Sequence, residues 1–216
     1  MTAAGGVIAR ATRASHLPGM TEAPEGLRYL PDFLSEEEEH ALVDVLTGLD
    51  FKEIHMHGVV ARRTVAHYGW DYGYESWRLT PAQAIPHFLL PVRDRCAGVA
   101  GVEPCALEEV LVSRYPPGAS IGWHRDAPMF GPSVIGVSLL GAARMRFRRK
   151  VGGSYVTAAL ELAPRSAYVL AGEARSVWQH TLSPVKHLRY SLSFRTVPSS
   201  PARPAAARAG GTPPGP

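Results

Sequence analysis

Cysteine is nearly absent. Cys96 and Cys105 are the only two in 216 residues, too few for a disulfide framework, so two reduced thiols in a cytoplasmic protein are expected. Long apolar runs are missing too. No uninterrupted stretch approaches the roughly 18 residues that cross a bilayer. The first thirty residues carry Arg10 and Arg13 without an apolar centre of signal-peptide length, so neither membrane insertion nor secretion is expected. Charged residues make up 19% against 45% hydrophobic, a balance that excludes global disorder. The formal net charge of +4 leans mildly towards polyanions. Its distribution says more than its sum: Arg144, Arg146, Arg148, Arg149 and Lys150 form one cluster, Arg62 and Arg63 another.

Residues 1–25 lack periodicity and read as a flexible arm, and the Pro/Ala/Gly-rich 198–216 reads as a disordered tail. One domain is expected between them, over 26–197, with no internal repeat. Ser35-Glu-Glu-Glu38 is a capping box, and Ala41, Leu42, Val45, Leu46 and Leu49 follow at helical spacing, which predicts a helix over 36–49. A second helix is expected between Pro81 and Ala97, shortened or interrupted by Pro86 and Pro91. From Leu107 the texture changes to short Val/Leu/Tyr/Phe-rich segments divided by Pro and Gly breaks. Strands are predicted over 107–115, 133–140, 144–149, 154–162, 166–170 and 188–197. Helices first and strands afterwards predict an α+β chain: a jelly-roll, or double-stranded β-helix, barrel buttressed by N-terminal helices.

In Tyr115-Pro-Pro-Gly-Ala-Ser-Ile-Gly-Trp-His124-Arg-Asp126 an imidazole and a carboxylate stand two residues apart. On an extended segment they share a side and can converge on one ion. Gly122 is read as leaving room for that approach. His180 follows 56 residues after His124 and makes a third candidate. Two histidines and a carboxylate form the facial triad that holds non-haem Fe(II) with positions left open. His-x-Asp is weak evidence by itself, and a lone histidine at 180 is more often a satisfied structural residue. The segment Arg189-Tyr-Ser-Leu-Ser-Phe-Arg195 changes the balance: its period of two sets Arg189, Ser191, Ser193 and Arg195 on one face. If that face points inwards, two buried guanidiniums demand anions. A dicarboxylate held between them, chelating iron through an oxo-acid end, answers that demand. Ser113 and Tyr115, on one face of an earlier strand, add hydroxyl donors.

Three motifs in order, Ser113-Arg-Tyr-Pro-Pro-Gly118 with His124-x-Asp126, Ala171-Gly-Glu-Ala-Arg175 with His180, and Arg189 to Arg195, resemble the AlkB family of nucleic-acid dealkylating dioxygenases over roughly 26–197. The resemblance implies that His124, Asp126 and His180 bind Fe(II) and carry catalysis. It implies that Tyr115, Arg189 and Arg195 bind the cosubstrate 2-oxoglutarate, with Ser113 and Ser191 standing where the family often has asparagine. Dioxygen is the third reactant. Arg175 matches a family arginine near the site whose role stays open.

Arg62-Arg63-Thr-Val-Ala-His-Tyr68-Gly-Trp-Asp-Tyr72-Gly-Tyr74 reads either as an aromatic loop packed on the barrel or as a nucleotide-recognition lid. In the second case arginines meet phosphates and a ring stacks a base. It is similar to the family's lid, which makes Arg62, Arg63, Tyr68, Tyr72 and Tyr74 the candidate substrate residues. His55 and His57 read as surface histidines. Ala127-Pro-Met-Phe130 replaces the acidic residues of well-known bacterial members, which leaves the lesion open. The expected activity is oxidative demethylation of N-alkylated bases in DNA or RNA, releasing aldehyde, succinate and carbon dioxide. The expected form is a monomer with no obligate protein partner. The alternatives are the same iron chemistry on a protein or small molecule, and a non-catalytic nucleic-acid-binding barrel.

Overall fold

The computed structural model describes residues 12–13, 23–56, 59–73 and 79–198. In chain order its elements are β1 (Thr12–Arg13), β2 (Leu27–Leu30), α1 (Glu36–Leu46), β3 (Lys52–Met56), β4 (Val59–Tyr68), β5 (Trp70–Tyr72) and β6 (Leu79–Pro81). There follow α2 (Leu90–Ala100), β7 (Leu107–Tyr115), β8 (Ile121–His124), β9 (Val134–Leu140), β10 (Ala143–Val151), β11 (Ser154–Leu162), β12 (Ala167–Leu170), α3 (Gly172–Ser176), β13 (Gln179–Leu182) and β14 (Arg189–Thr196). A larger sheet of eight strands runs β1-β2-β12-β9-β14-β7-β4-β3, and a smaller one of four runs β11-β10-β13-β8. All pairings are antiparallel in both. The six predicted strands are all present within two residues of their expected ends. Among the described residues no helix is long and apolar enough to cross a membrane.

The larger sheet is covered on both faces. Against one lie α1 and α2, whose Leu42, Leu46, Val92 and Cys96 pack with Val110, Val112, Leu192 and Phe194. On the other, Leu27, Tyr115 and Val134 meet Met145, Phe147 and Leu160 of the smaller sheet. This is the jelly-roll arrangement, with the helices as a buttress.

The capping box forms: the Ser35 Oγ accepts from the Glu38 amide at 3.1 Å while a Glu38 carboxylate oxygen accepts from the Ser35 amide at 2.8 Å. The helix stops at Leu46, three residues before the expected end, because the Gly48 and Leu49 amides bond back three residues, to the Val45 and Leu46 carbonyls, and the last turn tightens. Pro91 does not interrupt α2. It occupies the first turn, where no amide donor is required, and the helix closes at Gly101 with φ 71°.

The expectation of a loop or lid over 62–74 needs correction. Residues 59–68 are a ten-residue strand inside the larger sheet, and 70–72 pair with 79–81 in a hairpin. Gly69, at φ 79°, joins the two strands so close to β7 that a Cβ would lie 1.8 Å from the Glu108 carbonyl oxygen. Tyr74, His57, most of the expected N-terminal arm and nearly all of the expected C-terminal tail lie outside the described residues. Of the expected arm only Thr12–Arg13, which pairs with Arg28 and Tyr29, and residues 23–25 are described.

Candidate active site

Antiparallel pairing alone assembles most of the pocket wall. Arg189 stands opposite Tyr115, Ser191 opposite Ser113, and Arg195 opposite Glu109. On its other edge β14 sets Ser191 opposite Ser138. With a side-chain period of two, the polar face of β14 points between the sheets and Tyr190, Leu192 and Phe194 point at the helices. That face is buried: Arg189 is 1% exposed, Arg195 8% and Ser191 4%. It lines a cavity of about 510 Å³, together with Ser113, Tyr115 and the candidate metal ligands, a size suited to a small-molecule cosubstrate.

His124 ends β8 and pairs in register with His180 on β13. Asp126 follows in the next turn. Their ligand atoms all lie within 4.8 Å of one another, with His180 Nε2 3.7 Å from one Asp126 carboxylate oxygen and the imidazole centres 4.2 Å apart. His124 Nδ1 faces the Gly122 carbonyl at 2.9 Å, so it carries the proton and leaves Nε2 to bind a metal. Gly122 therefore contributes its carbonyl. The expectation that it makes room is not met, because a Cβ there would touch nothing within 4 Å. Arg175 donates to the carbonyls of Asp126 at 2.9 Å and Ala127 at 2.7 Å, fixing the turn that carries the carboxylate.

Electrostatics keep Asp126 and His180 ready for a cation. Burial opposes charge on Asp126, but His180, Arg195, His124 and Arg175 outweigh it and hold the carboxyl down at about 2. Burial pushes His180 down to about 4 against the pull of Asp126, so its ring is neutral near pH 7. A carboxylate, the neutral His180 imidazole and the His124 Nε2, with other faces open to the cavity, fit a divalent transition metal.

The two arginines differ. Arg189 donates to Ser138 Oγ at 2.8 Å and lies over the Tyr115 ring at 5.1 Å, its Nε lacks a partner, and no carboxylate pairs with it among the described residues. A wholly buried guanidinium without a counter-anion is costly, and the cavity beside it is where an anion would sit. Arg195 instead donates to both oxygens of Glu109, at 3.1 and 3.0 Å, and to Asp126 at 3.4 Å, and it covers the Phe130 ring. The expectation of a diacid spanning both guanidiniums thus changes: Arg195 already faces two carboxylates.

Of the candidate substrate residues, Arg63 is buried and lines the cavity, and Tyr72 lines it while meeting the Phe130 ring edge. Arg62 is exposed beside the Gly118 carbonyl at 3.4 Å. Tyr68 does not reach the cavity. It shares the even-numbered face of β4 with Ala66 and is packed in the helix-side core, so its assignment to substrate is corrected. His55 is exposed, as expected. Glu109, His67 and Ser138 were missed. Glu109, Leu111, Ser113 and Tyr115 share one face of β7, so the period that singled out Ser113 and Tyr115 also pointed to Glu109.

A model of the 2OG-Fe(II) oxygenase superfamily matches residues 26–203. An Arabidopsis thaliana protein named "Alkylated DNA repair protein ALKBH8 homolog" is 32% identical over 178 residues, 72% of this chain and 50% of that protein. The mouse "tRNA (carboxymethyluridine(34)-5-O)-methyltransferase ALKBH8" is 28% identical over 78% of this chain and 26% of its own length. The zebrafish "Probable RNA/DNA demethylase ALKBH6" is 29% identical over 60% of this chain and 53% of its own length. The chain thus spans about half or less of these relatives. A solved structure described as "The structure of OsALKBH1" superposes with a TM-score of 0.66 at 16% identity, over 82% of this chain and 99% of that one.

Proposed function

Because this chain belongs to the 2OG-Fe(II) oxygenase superfamily, among its AlkB-like members, we propose that it removes N-alkyl groups from bases of DNA or RNA by oxidation. Its cofactor is Fe(II), and its cosubstrates are 2-oxoglutarate and dioxygen. The metal and the oxo acid, when bound, supply oxygen activation: one oxygen atom enters the substrate C–H bond, and the other leaves in succinate as carbon dioxide departs. Hydroxylation next to a base nitrogen gives a hemiaminal, which releases an aldehyde.

The protein's own groups bind and orient. His124, Asp126 and His180 hold the metal. Arg189, with Tyr115 beside it, takes the far carboxylate of 2-oxoglutarate, while Ser113 and Ser191 offer hydroxyls on the same wall. Arg195 keeps one oxygen of Asp126 engaged, which leaves the other, turned to His180, as the one that would ligate the metal. Arg63 and Tyr72 border the part of the cavity left for a base. The oxygenase domain is assigned to 26–197. The observation that carries this reading is the convergence of the triad beside a buried arginine that no carboxylate pairs among the described residues.

A second reading has its own support. Ala127–Phe130 offers no carboxylate to a cationic methylated base, and Arg63 lines the cavity with no ion pair among the described residues. Together with relatives named for carboxymethyluridine in tRNA, this favours hydroxylation of an acidic uridine side chain. Protein purified without oxygen and loaded with Fe(II) and 2-oxoglutarate separates the two. Formaldehyde released from methylated single-stranded DNA or RNA supports dealkylation. A tRNA nucleoside heavier by one oxygen atom, without aldehyde, supports the second reading. Succinate formed on other substrates alone rejects both.

A further inference from the structure

The outward face of the smaller sheet carries a row of side chains that the reaction does not use. Tyr155 on β11, Arg148 on β10, Gln179 on β13 and Trp123 on β8 lie side by side across its four strands. The Arg148 guanidinium carbon is 4.8 Å from the Tyr155 ring centre and 4.4 Å from that of Trp123, and its Nε donates to Gln179 Oε1 at 2.9 Å. Arg146, on the same face of β10, lies 5.2 Å from the Trp123 ring.

The cations here are not neutralised from within. Arg148 stands opposite Thr157 and Gln179, Arg146 opposite Ala159 and Thr181, and Lys150 opposite Tyr155. None of the three makes an ion pair among the described residues. Their neighbours differ: Arg144 pairs with Glu161 at 3.4 Å and Arg149 with Glu173 at 2.9 Å. An arginine stacked on aromatic rings keeps edge N–H donors for an anion, and an exposed ring offers a face to a base. Tyr155 is 54% exposed.

This row also adjoins the cavity. Trp123 directly precedes His124, and Trp123 and Arg125 stand on the cavity rim. A strand with one nucleotide in the cavity would carry its neighbours across β8 onto the outward face. We propose that this face holds the phosphate backbone of a single nucleic-acid strand flanking the target nucleotide; the proposal rests on the reading that the substrate is a nucleic acid.

The test uses the full chain with Mn(II) and 2-oxoglutarate and labelled unmodified single-stranded RNA and DNA of one sequence, the two arms telling which backbone is preferred. Arg146→Glu combined with Arg148→Glu is expected to weaken binding about tenfold or more. It should also flatten the dependence of log affinity on log salt by about 1.4, at roughly 0.7 for each phosphate that the variant no longer neutralises. The rise in Tm on adding Mn(II) and 2-oxoglutarate should be unchanged. Should charge reversal disturb folding, Arg146→Ala with Lys150→Ala reads the same weakening more gently. Unaltered affinity and salt slope overturn the proposal, as does poly-glutamate that binds the native protein as tightly and fails to bind the same variants. Methylated oligonucleotides oxidised with an unchanged KM in the variants would remove this surface and leave the proposed function standing. Oligonucleotides bound on this face but never oxidised would remove the proposed function and leave the surface.

Discussion

Arg189 and Arg195 sit six residues apart on one strand face, yet they do different work. Arg195 neutralises Glu109, a carboxylate with no solvent exposure, and touches Asp126. Arg195→Met should therefore strand a buried charge and cost about 3–5 kcal/mol in urea unfolding of the metal-free protein. Arg189 has no carboxylate among the described residues to abandon, so Arg189→Met should leave the metal-free protein at least as stable. It should raise the 2-oxoglutarate requirement roughly 10- to 100-fold, the value of about 1.5–3 kcal/mol for hydrogen bonds to a charged group. Equal destabilisation by both variants would contradict this division. At Tyr68, buried in the helix-side core, Tyr68→Phe should leave the KM for any oligonucleotide unaltered, whereas Tyr72→Ala should raise it. A raised KM in Tyr68→Phe would return that ring to the cavity.

Among the elements, α3 has five residues and acts through one of them. Arg175 reaches back to the turn after β8 and holds two carbonyls there. Arg175→Met should weaken Mn(II) binding about 10- to 100-fold, as removal of groups that orient ligands does; titration of the metal reads it, and unchanged affinity would reduce Arg175 to a packing role. The sequence made the strands around the triad legible because Val, Leu and Phe alternate between clear turn residues. It made β14 legible because two arginines and two serines fall on one period. It hid β4, where both faces are covered, so that Arg63 and His67, which serve the cavity, interrupt the apolar pattern of a buried strand. It also hid β8 and β13, each four residues long and too short to show a period, although these two carry both candidate histidine ligands.

Across the whole molecule, the site exists because two sheets face each other, with the candidate metal ligands on or beside the smaller and the wall that carries Arg189 on the larger. Burying a neutral histidine there has a cost in acid. The unfolded chain takes a proton on His180 near 6.5, and the folded chain refuses it until about 4. The folded state thus binds fewer protons in that window, and its stability falls as pH drops through it. Tm of the metal-free protein should decline from pH 6.5 to 4, and less steeply in His180→Gln; parallel declines would place the acid sensitivity elsewhere. The most direct test of the account is a crystal structure of the protein soaked with Mn(II) and 2-oxoglutarate. The predicted result is one metal bound by His124, Asp126 and His180, with the far carboxylate of 2-oxoglutarate on Arg189. A metal bound away from any of the three, or an oxo acid that leaves Arg189 untouched, would contradict it.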